Sequence, residues 1–304
     1  MSVATGAGGE AGRSERVRPK APRRRVSFSL MAKYILLVVY SAWALLPLIW
    51  MVSAAFKPGP EVLTVPVQWI PNSWHPENFE RALFEPRFAG SPFIRFLVNS
   101  IIAATVTALL SVVLSLLSAY GFTKFRYRGR DGALWILLGS TLLPFSSVLI
   151  PLYLIVQRLG MLDSMLGMIV PFALIGPAVF AARQFMLGLP TEYIEAARLD
   201  GASELGVFRR IVVPLSGPAI TTVAVLTFLF SWNLFLWPLA IMSSQANFTA
   251  PLGLSLLGLG STFRPDYEIW MAAAVLSMLP PLIFFLILER PYMRGLESLS
   301  GLKG

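Results

Sequence analysis

The sequence predicts an all-α integral membrane protein with six transmembrane helices, and three observations carry that prediction. Of 304 residues, 56% are hydrophobic and only 13% are charged, whereas a soluble domain carries roughly 45–50% apolar and about 25% charged residues. The few charges are absent from long windows, and the basic residues gather on alternate connections between those windows. A soluble enzyme is excluded first, since too little polar surface is available to cover a chain of this length. Disorder over most of the chain is excluded as well, because it requires low hydrophobicity and many charges.

The spans follow from the charge gaps. Uncharged windows cover 34–56, 96–123, 132–157, 164–182 and 269–288. Each is near the ~20 apolar residues that one membrane-crossing helix needs. A further window at 211–263 is too long for one span. Pro214 and Pro218 punctuate its start and Ser243-Ser244-Gln245-Ala246-Asn247 interrupts it, giving a fifth span at about 219–242 and a short re-entrant or surface helix over Leu252–Leu259. The predicted spans are therefore about 34–56, 96–123, 132–157, 164–187, 219–242 and 269–288, within a six-span region 33–304 whose core is about 95–290. Residues 1–32, rich in Gly, Ala and Arg, read as a disordered basic tail. The segment 57–94 carries seven prolines and mixed charge, and reads as an irregular loop with a short helix at Asn78–Phe84.

Orientation comes from the basic residues. An even number of spans puts both termini on one side. A cytoplasmic N-terminus then places nineteen Lys and Arg inside, in the tail, at Lys124–Arg130, around Arg183–Arg210 and after Arg290. Six remain outside: Lys57, Arg81, Arg87, Arg95, Arg158 and Arg264. Such a bias orients a multi-pass protein with both termini in the cytoplasm. The net charge of +9 thus reports topology, and the Arg23–Arg25 run beside a span points to no nucleic acid.

Residues able to do covalent chemistry are scarce. There is no Cys, and the one histidine, His75, lies beside Pro76 in the loop, where it reads as a surface residue. Metalloprotease, nucleophile-elbow and GxxxxGK[ST] motifs are absent, so neither metal nor ATP is expected on this chain. Carboxylates are missing from the windows, which disfavours a proton- or sodium-coupled carrier. Prolines inside the spans (Pro144, Pro151, Pro171, Pro177, Pro238, Pro280, Pro281) are expected to kink helices and free carbonyls.

One connection carries more order than a linker needs. From Leu189 the chain reads LPTEYIEAARLDGASELGVFRRIVVPLSGP. Pro190 and Thr191 begin a helix, with Glu192 and Glu195 favouring its positive end. Ala196 and Ala197 offer a face that another protein can approach closely. Gly201 is placed to end this helix, and Ser203 to cap a second one that runs through Phe208 and Ile211 until Pro214 breaks it. A docking element over about 190–214 is the functional reading.

This segment resembles the EAA motif of the permease subunits of bacterial ABC importers. Glu195-Ala196-Ala197, Asp200-Gly201-Ala202, Phe208, Ile211, Pro214 and Pro218 fall at its spacing. Beyond the loop, Asn99-Ser100, Ala119-Tyr120-Gly121-Phe122, Arg183-Gln184-Phe185, Ser231-Trp232-Asn233, Trp237-Pro238-Leu239, Met271-Ala272-Ala273 and the Lys303-Gly304 ending look like the carbohydrate-importer branch. Two departures stand out: Leu234 occupies a position that is acidic in many relatives, and the tail from Gly295 to Gly304 is not the family's commonest ending.

The resemblance implies a type I ABC importer permease fold in the bacterial inner membrane. It implies half of a path for a sugar or related polyol or glycoside. It also implies a second permease subunit, two ATP-binding-cassette ATPase subunits holding ATP and magnesium, an extracytoplasmic sugar-binding protein, and surrounding membrane lipids. The coupling loop would carry Glu195 as charged anchor, Ala196 and Ala197 as contact face and Gly201 as turn, with Asp200, Ala202, Phe208, Ile211 and Pro214 completing it. Trp232, Asn233 and Trp237 are the candidate substrate-path residues. On the residues alone, a stand-alone secondary carrier or channel for a small polar solute, or a membrane scaffold, stays open.

Overall fold

A computed structural model of the chain describes residues 28–86, 91–257 and 266–300. The predicted basic tail up to residue 27, Arg87, Arg264 and the Lys303-Gly304 ending lie outside the described residues. Every described element is helical. Their order is α1 (Phe28–Ala55), α2 (Gly59–Val62), α3 (Glu77–Phe84), α4 (Phe93–Lys124), α5 (Arg130–Ser140), α6 (Phe145–Arg158), α7 (Met165–Ile169) and α8 (Gly176–Leu187). There follow α9 (Thr191–Leu199), α10 (Glu204–Val207), α11 (Val213–Leu215), α12 (Gly217–Trp232), α13 (Leu236–Ile241), α14 (Ala250–Leu257) and α15 (Tyr267–Ser300).

Three of these are long and apolar enough to cross a membrane unaided: Leu30–Ala55, Phe93–Lys124 and Tyr267–Glu289. Three more crossings arise if each of three sharply bent pairs counts as one span. Contacts divide the chain into residues up to Pro47 and residues from Leu48 onward. In the first unit every side chain from Leu30 to Pro47 is exposed, an apolar all-round helix suited to lipid or another apolar chain.

The second unit is organised by α4. Ser100, Ala103, Ala104, Thr107, Ala108, Ser111, Ser115 and Ala119 are all buried and recur at helical spacing along it. Small residues let backbones approach closely where no hydrophobic effect drives helices together. The partner is α12, whose Thr227 meets Ser111 Oγ at 3.1 Å while also bonding the Val223 carbonyl at 2.8 Å. At one end of α4, Phe93, Phe96 and Leu97 join Trp232, Trp237, Ile269 and Ala272 in one core. At the other, Leu116, Ala119 and Tyr120 join Ala182, Met186, Phe208 and Val223 in a second.

The predicted third, fourth and fifth spans are not single helices. Between 132 and 157 the chain breaks at 141–144, and α5 and α6 lie at 104° to each other. Pro144 explains the break, because it lacks an N–H and pushes Leu143 out of the helical region. The fourth span passes from α7 through a 3₁₀ turn (Val170–Phe172), then bends by 45° into α8 at 173–175, bracketed by Pro171 and Pro177. The fifth is interrupted at 233–235, between α12 and α13. By contrast, α15 is one uninterrupted helix through Pro280 and Pro281.

Polar staples hold the connections at the Phe93 end of α4. Asn99 Nδ2 donates to the carbonyls of Ala246 (2.8 Å) and Phe248 (2.9 Å), and Ser100 Oγ accepts from the Ala250 amide at 2.8 Å. Asp163, with φ of 52°, gathers the amides of Ser243 and Ser244, the Ser244 hydroxyl and the Asn247 side chain. Those hydrogen bonds, the Ser244 hydroxyl foremost, hold the Asp163 carboxyl below its ordinary pKa. In the loop before α3, Lys57 is buried and its ammonium donates to the Gln68 carbonyl, while Asn78 Nδ2 caps the carbonyls of Ala55 and Lys57.

Two predictions follow from this packing. A Cβ at Gly167 would sit 2.2 Å from the Met161 carbonyl oxygen, whereas one at Gly121 meets nothing within 4 Å. Thermal unfolding of detergent-purified protein should show Gly167→Ala destabilised by about 1–3 kcal/mol and Gly121→Ala unchanged or slightly stabilised. Because folding lowers the Asp163 pKa, the tie to 243–247 is fully present above the unfolded carboxylate value and is lost as pH falls through the lowered folded value. Protection of the Ser243 and Ser244 amides against hydrogen exchange, relative to their intrinsic rates, should therefore fall only at that acidic end, and Asp163→Ala should lower it at every pH above that end.

Candidate functional site

The segment 190–215 forms an elbow fastened to the bundle at one side and bare at the other. Helix α9 begins after Pro190 and ends in a left-handed turn, with Gly201 at φ of 80°. The Ala202 amide reaches back to the Ala197 carbonyl at 3.0 Å and the Gly201 amide to Arg198 at 3.1 Å, closing the carbonyls that the helix end leaves free. Ser203 then caps α10, its Oγ accepting from the Gly206 amide at 3.2 Å.

From α10 the helix continues through a π turn (Phe208–Val212) into α11 and bends by 80° at Ser216 before α12. The expected break at Pro214 is thus displaced by two residues. Pro214 lies inside this continuous helix just after the π turn, and Ser216 makes the corner, its hydroxyl donating to the Val212 carbonyl at 2.7 Å.

Two sets of side chains do different work. Ile194, Val207, Phe208 and Val212 are buried in the second core, with Ala197 and Ile211 packed against it. Glu195, Ala196, Leu199, Asp200, Gly201, Ala202 and Pro214 are exposed. Ala196 and Ala197 therefore do not share an outer face: consecutive helical residues are about 100° apart, and Ala197 packs against the chain's own core. Exposed apolar residues that the sequence reading passed over add to the bare side: Tyr193, Leu205 and Leu199, the last 89% accessible.

The elbow is braced from α4. Glu204 accepts from Arg198 Nε (2.7 Å) and Nη2 (3.1 Å), and its second oxygen accepts from the Tyr120 hydroxyl at 2.8 Å. The bond from Arg198 to Glu204 pushes the guanidinium pKa up, so the pair stays charged. Lys124 Nζ donates to the Leu189 carbonyl at 3.0 Å, and the Arg198 guanidinium lies 5.9 Å from the Phe125 ring centroid. Tyr120 and Glu204 are 84 residues apart, so no local pattern connects them. These contacts tie α9 and α10 to α4.

The three candidate path residues are not brought together. Trp237 is fully buried, its indole donating to the Gly167 carbonyl at 2.9 Å. Trp232 is buried and stacked at 5.8 Å on Phe228. Asn233 is exposed, its amide donating to the Leu229 carbonyl at 2.7 Å at the end of α12. No group of three or more His, Asp or Glu side chains suited to a metal occurs among the described residues.

Comparison with known proteins matches residues 111–291 to a family model described as binding-protein-dependent transport system inner membrane component. The chain is 32% identical over 276 residues to the arabinooligosaccharides transport system permease protein AraQ of Bacillus subtilis, covering 90% of this chain and 96% of that one. It is 34% identical over 266 residues to the sn-glycerol-3-phosphate transport system permease protein UgpE of Pectobacterium atrosepticum, covering 86% and 94%. Among solved structures it resembles in fold a chain of a bacterial ABC transporter involved in the import of the acidic polysaccharide alginate. The TM-score there is 0.77 at 22% identity, over 88% of this chain and 97% of that one.

The cap is directly testable. Ser203→Ala should cost the start of α10 about 1 kcal/mol, read as faster hydrogen exchange at the Gly206 amide, with α12 unaffected.

Proposed function

Because the chain belongs to the family of binding-protein-dependent transport system inner membrane components, we propose that its bare elbow at 190–215 is the part through which an ATPase subunit drives the spans. The chain is a permease subunit of an ATP-binding-cassette importer, a multi-pass inner-membrane protein that performs no covalent chemistry itself. The observation that carries the coupling role is the division of the elbow into a buried half and an exposed half. A mere connection would not expose Leu199 and Tyr193 beside Glu195 while being stapled to α4 through Glu204 and Tyr120.

In this reading Glu195 is the charged contact, while Ala196 and Leu199 supply close apolar contact. Gly201 holds the turn that leaves them bare, with Asp200 and Ala202 flanking it. Phe208, Ile211 and Ala197 form the root and Pro214 the approach to the corner. ATP and magnesium belong to the two partner ATPases, whose closure would move the elbow and carry α4 and α12 with it. A bundle with two packings is thereby biased by a partner's ligand state.

The permease pairs with a second permease subunit, each providing half of the path, and receives solute from an extracytoplasmic binding protein. The excess of basic residues around Lys124–Arg130 and Arg183–Arg210 supports a cytoplasmic elbow and cytoplasmic termini. Relatives named for arabinooligosaccharides and sn-glycerol-3-phosphate support a small polyhydroxylated solute, a sugar or related polyol or glycoside.

Gly201→Asn and Leu199→Asp separate docking from folding. Asparagine tolerates the left-handed conformation, and Leu199 is exposed, so both variants should insert and melt like the parent. In vesicles holding the whole complex, both should lose most ATP-driven uptake and binding-protein-stimulated ATP hydrolysis. Normal uptake by both variants would refute the coupling role of the elbow.

A further inference from the structure

The breaks in the third, fourth and fifth spans meet at one place. A Cβ at Gly176, just after the fourth-span bend, would lie 2.5 Å from Thr141 Cγ2 and 2.9 Å from the Leu137 carbonyl, at the third-span break. Phe145 begins α6 and stands 6.1 Å from Phe172, which precedes the fourth-span bend. Trp237, just after the fifth-span break, lies 6.4 Å from Phe145 and 5.8 Å from Phe172. Phe230, just before that break, lies 5.6 Å from Phe172. Three interrupted helices thus share one aromatic cluster.

Polar side chains are exposed at these breaks alongside Leu142 and Leu143. Thr141, Ser146, Ser147 and Asn233 are all exposed at or beside the breaks. Ser231, two residues before Asn233, keeps a buried hydroxyl with no hydrogen-bond partner. The first two breaks fall midway between the charges that bracket their spans, Asp131 and Arg158 for one and Asp163 and Arg183 for the other. Irregular backbone at that depth is stable only when buried in protein or lining a water-filled cavity. Discontinuous helices at the midplane are a way for transporters to present polar groups to solute.

We infer that the convergent breaks at 141–144, 173–175 and 233–235 form this chain's wall of the aqueous path, contacting a polyhydroxylated solute through Thr141, Ser146, Ser147 and Asn233 beside the exposed Phe230 ring. Hydroxyl and amide groups exchange hydrogen bonds with solute hydroxyls, and an aromatic face accepts the apolar side of a sugar-like ring. Trp237 then serves as the buried post that holds the three breaks together. This assignment rests on the permease reading and adds the residues that touch the solute.

The natural absence of cysteine makes the test direct, since each substitution introduces the chain's sole thiol. Thr141→Cys, Ser146→Cys and Asn233→Cys are compared with Leu109→Cys, an exposed apolar position on α4. All are assembled with the partner subunits in vesicles and treated with a charged, membrane-impermeant methanethiosulfonate. Labelling at the three break positions should be at least roughly tenfold faster than at Leu109→Cys, as expected for water rather than lipid. It should change when the ATPases are trapped with ATP and vanadate, and slow when binding protein loaded from an arabino-oligosaccharide mixture is added.

Rates no faster than at Leu109→Cys would overturn the assignment. So would fast labelling of the isolated chain that vanishes on assembly in every nucleotide state, because the second permease would then cover the breaks. Fast, nucleotide-dependent labelling without protection would overturn solute contact. Binding-protein-stimulated ATP hydrolysis by the unsubstituted complex, measured alongside, reports separately on the importer reading.

Discussion

A backbone amide left unpaired in hydrocarbon costs several kcal/mol, and the architecture of this chain is an answer to that cost. The penalty compels helices throughout the apolar segments. It also means that every place where a helix stops inside a span needs a compensating partner. Asn99, Ser100 and Asp163 supply partners where loops 243–250 leave the ladder, and the Trp237 indole does so for Gly167. At Ser216 the corner satisfies itself through the Val212 carbonyl. Where breaks carry exposed polar side chains, as Thr141, Ser146, Ser147 and Asn233 do, the same penalty underlies the proposed contact with water.

The second organising feature is the fixed seam between α4 and α12. Small residues bring the helices close, and a hydroxyl pair at Ser111 and Thr227 sets their register. That seam links the two cores, one around Trp237 and the convergent breaks, the other around Phe208 and the elbow. The elbow and the breaks therefore lie against the same two helices.

Much of the elbow was legible because its signals are local. Gly201 announces a left-handed turn, Ser203 a cap, and the spacing of Glu195 to Pro218 a known motif. The six-span plan was legible from charge gaps, because burying a charge in lipid is costly wherever it occurs. What escaped were features that depend on distant partners or on angle. The direction of Ala197 depends on which side of α9 meets the core. The role of Glu204 depends on Tyr120 and that of Asp163 on Ser244. Lys57 counts among the outside charges in the sequence, yet folding buries it against the Gln68 carbonyl. Prolines marked where helices could bend, but Pro144 stands at a break in a span whereas Pro280 and Pro281 do not interrupt α15.

A permease driven through its elbow by ATP would move solute only within its assembly. The most direct measurement compares solute uptake into vesicles holding the chain alone with vesicles holding it together with its second permease, ATPases and binding protein. Uptake and solute-stimulated ATP hydrolysis are expected only in the complete assembly, each dependent on the other. Solute-specific uptake by the chain alone, without ATP, would contradict this expectation.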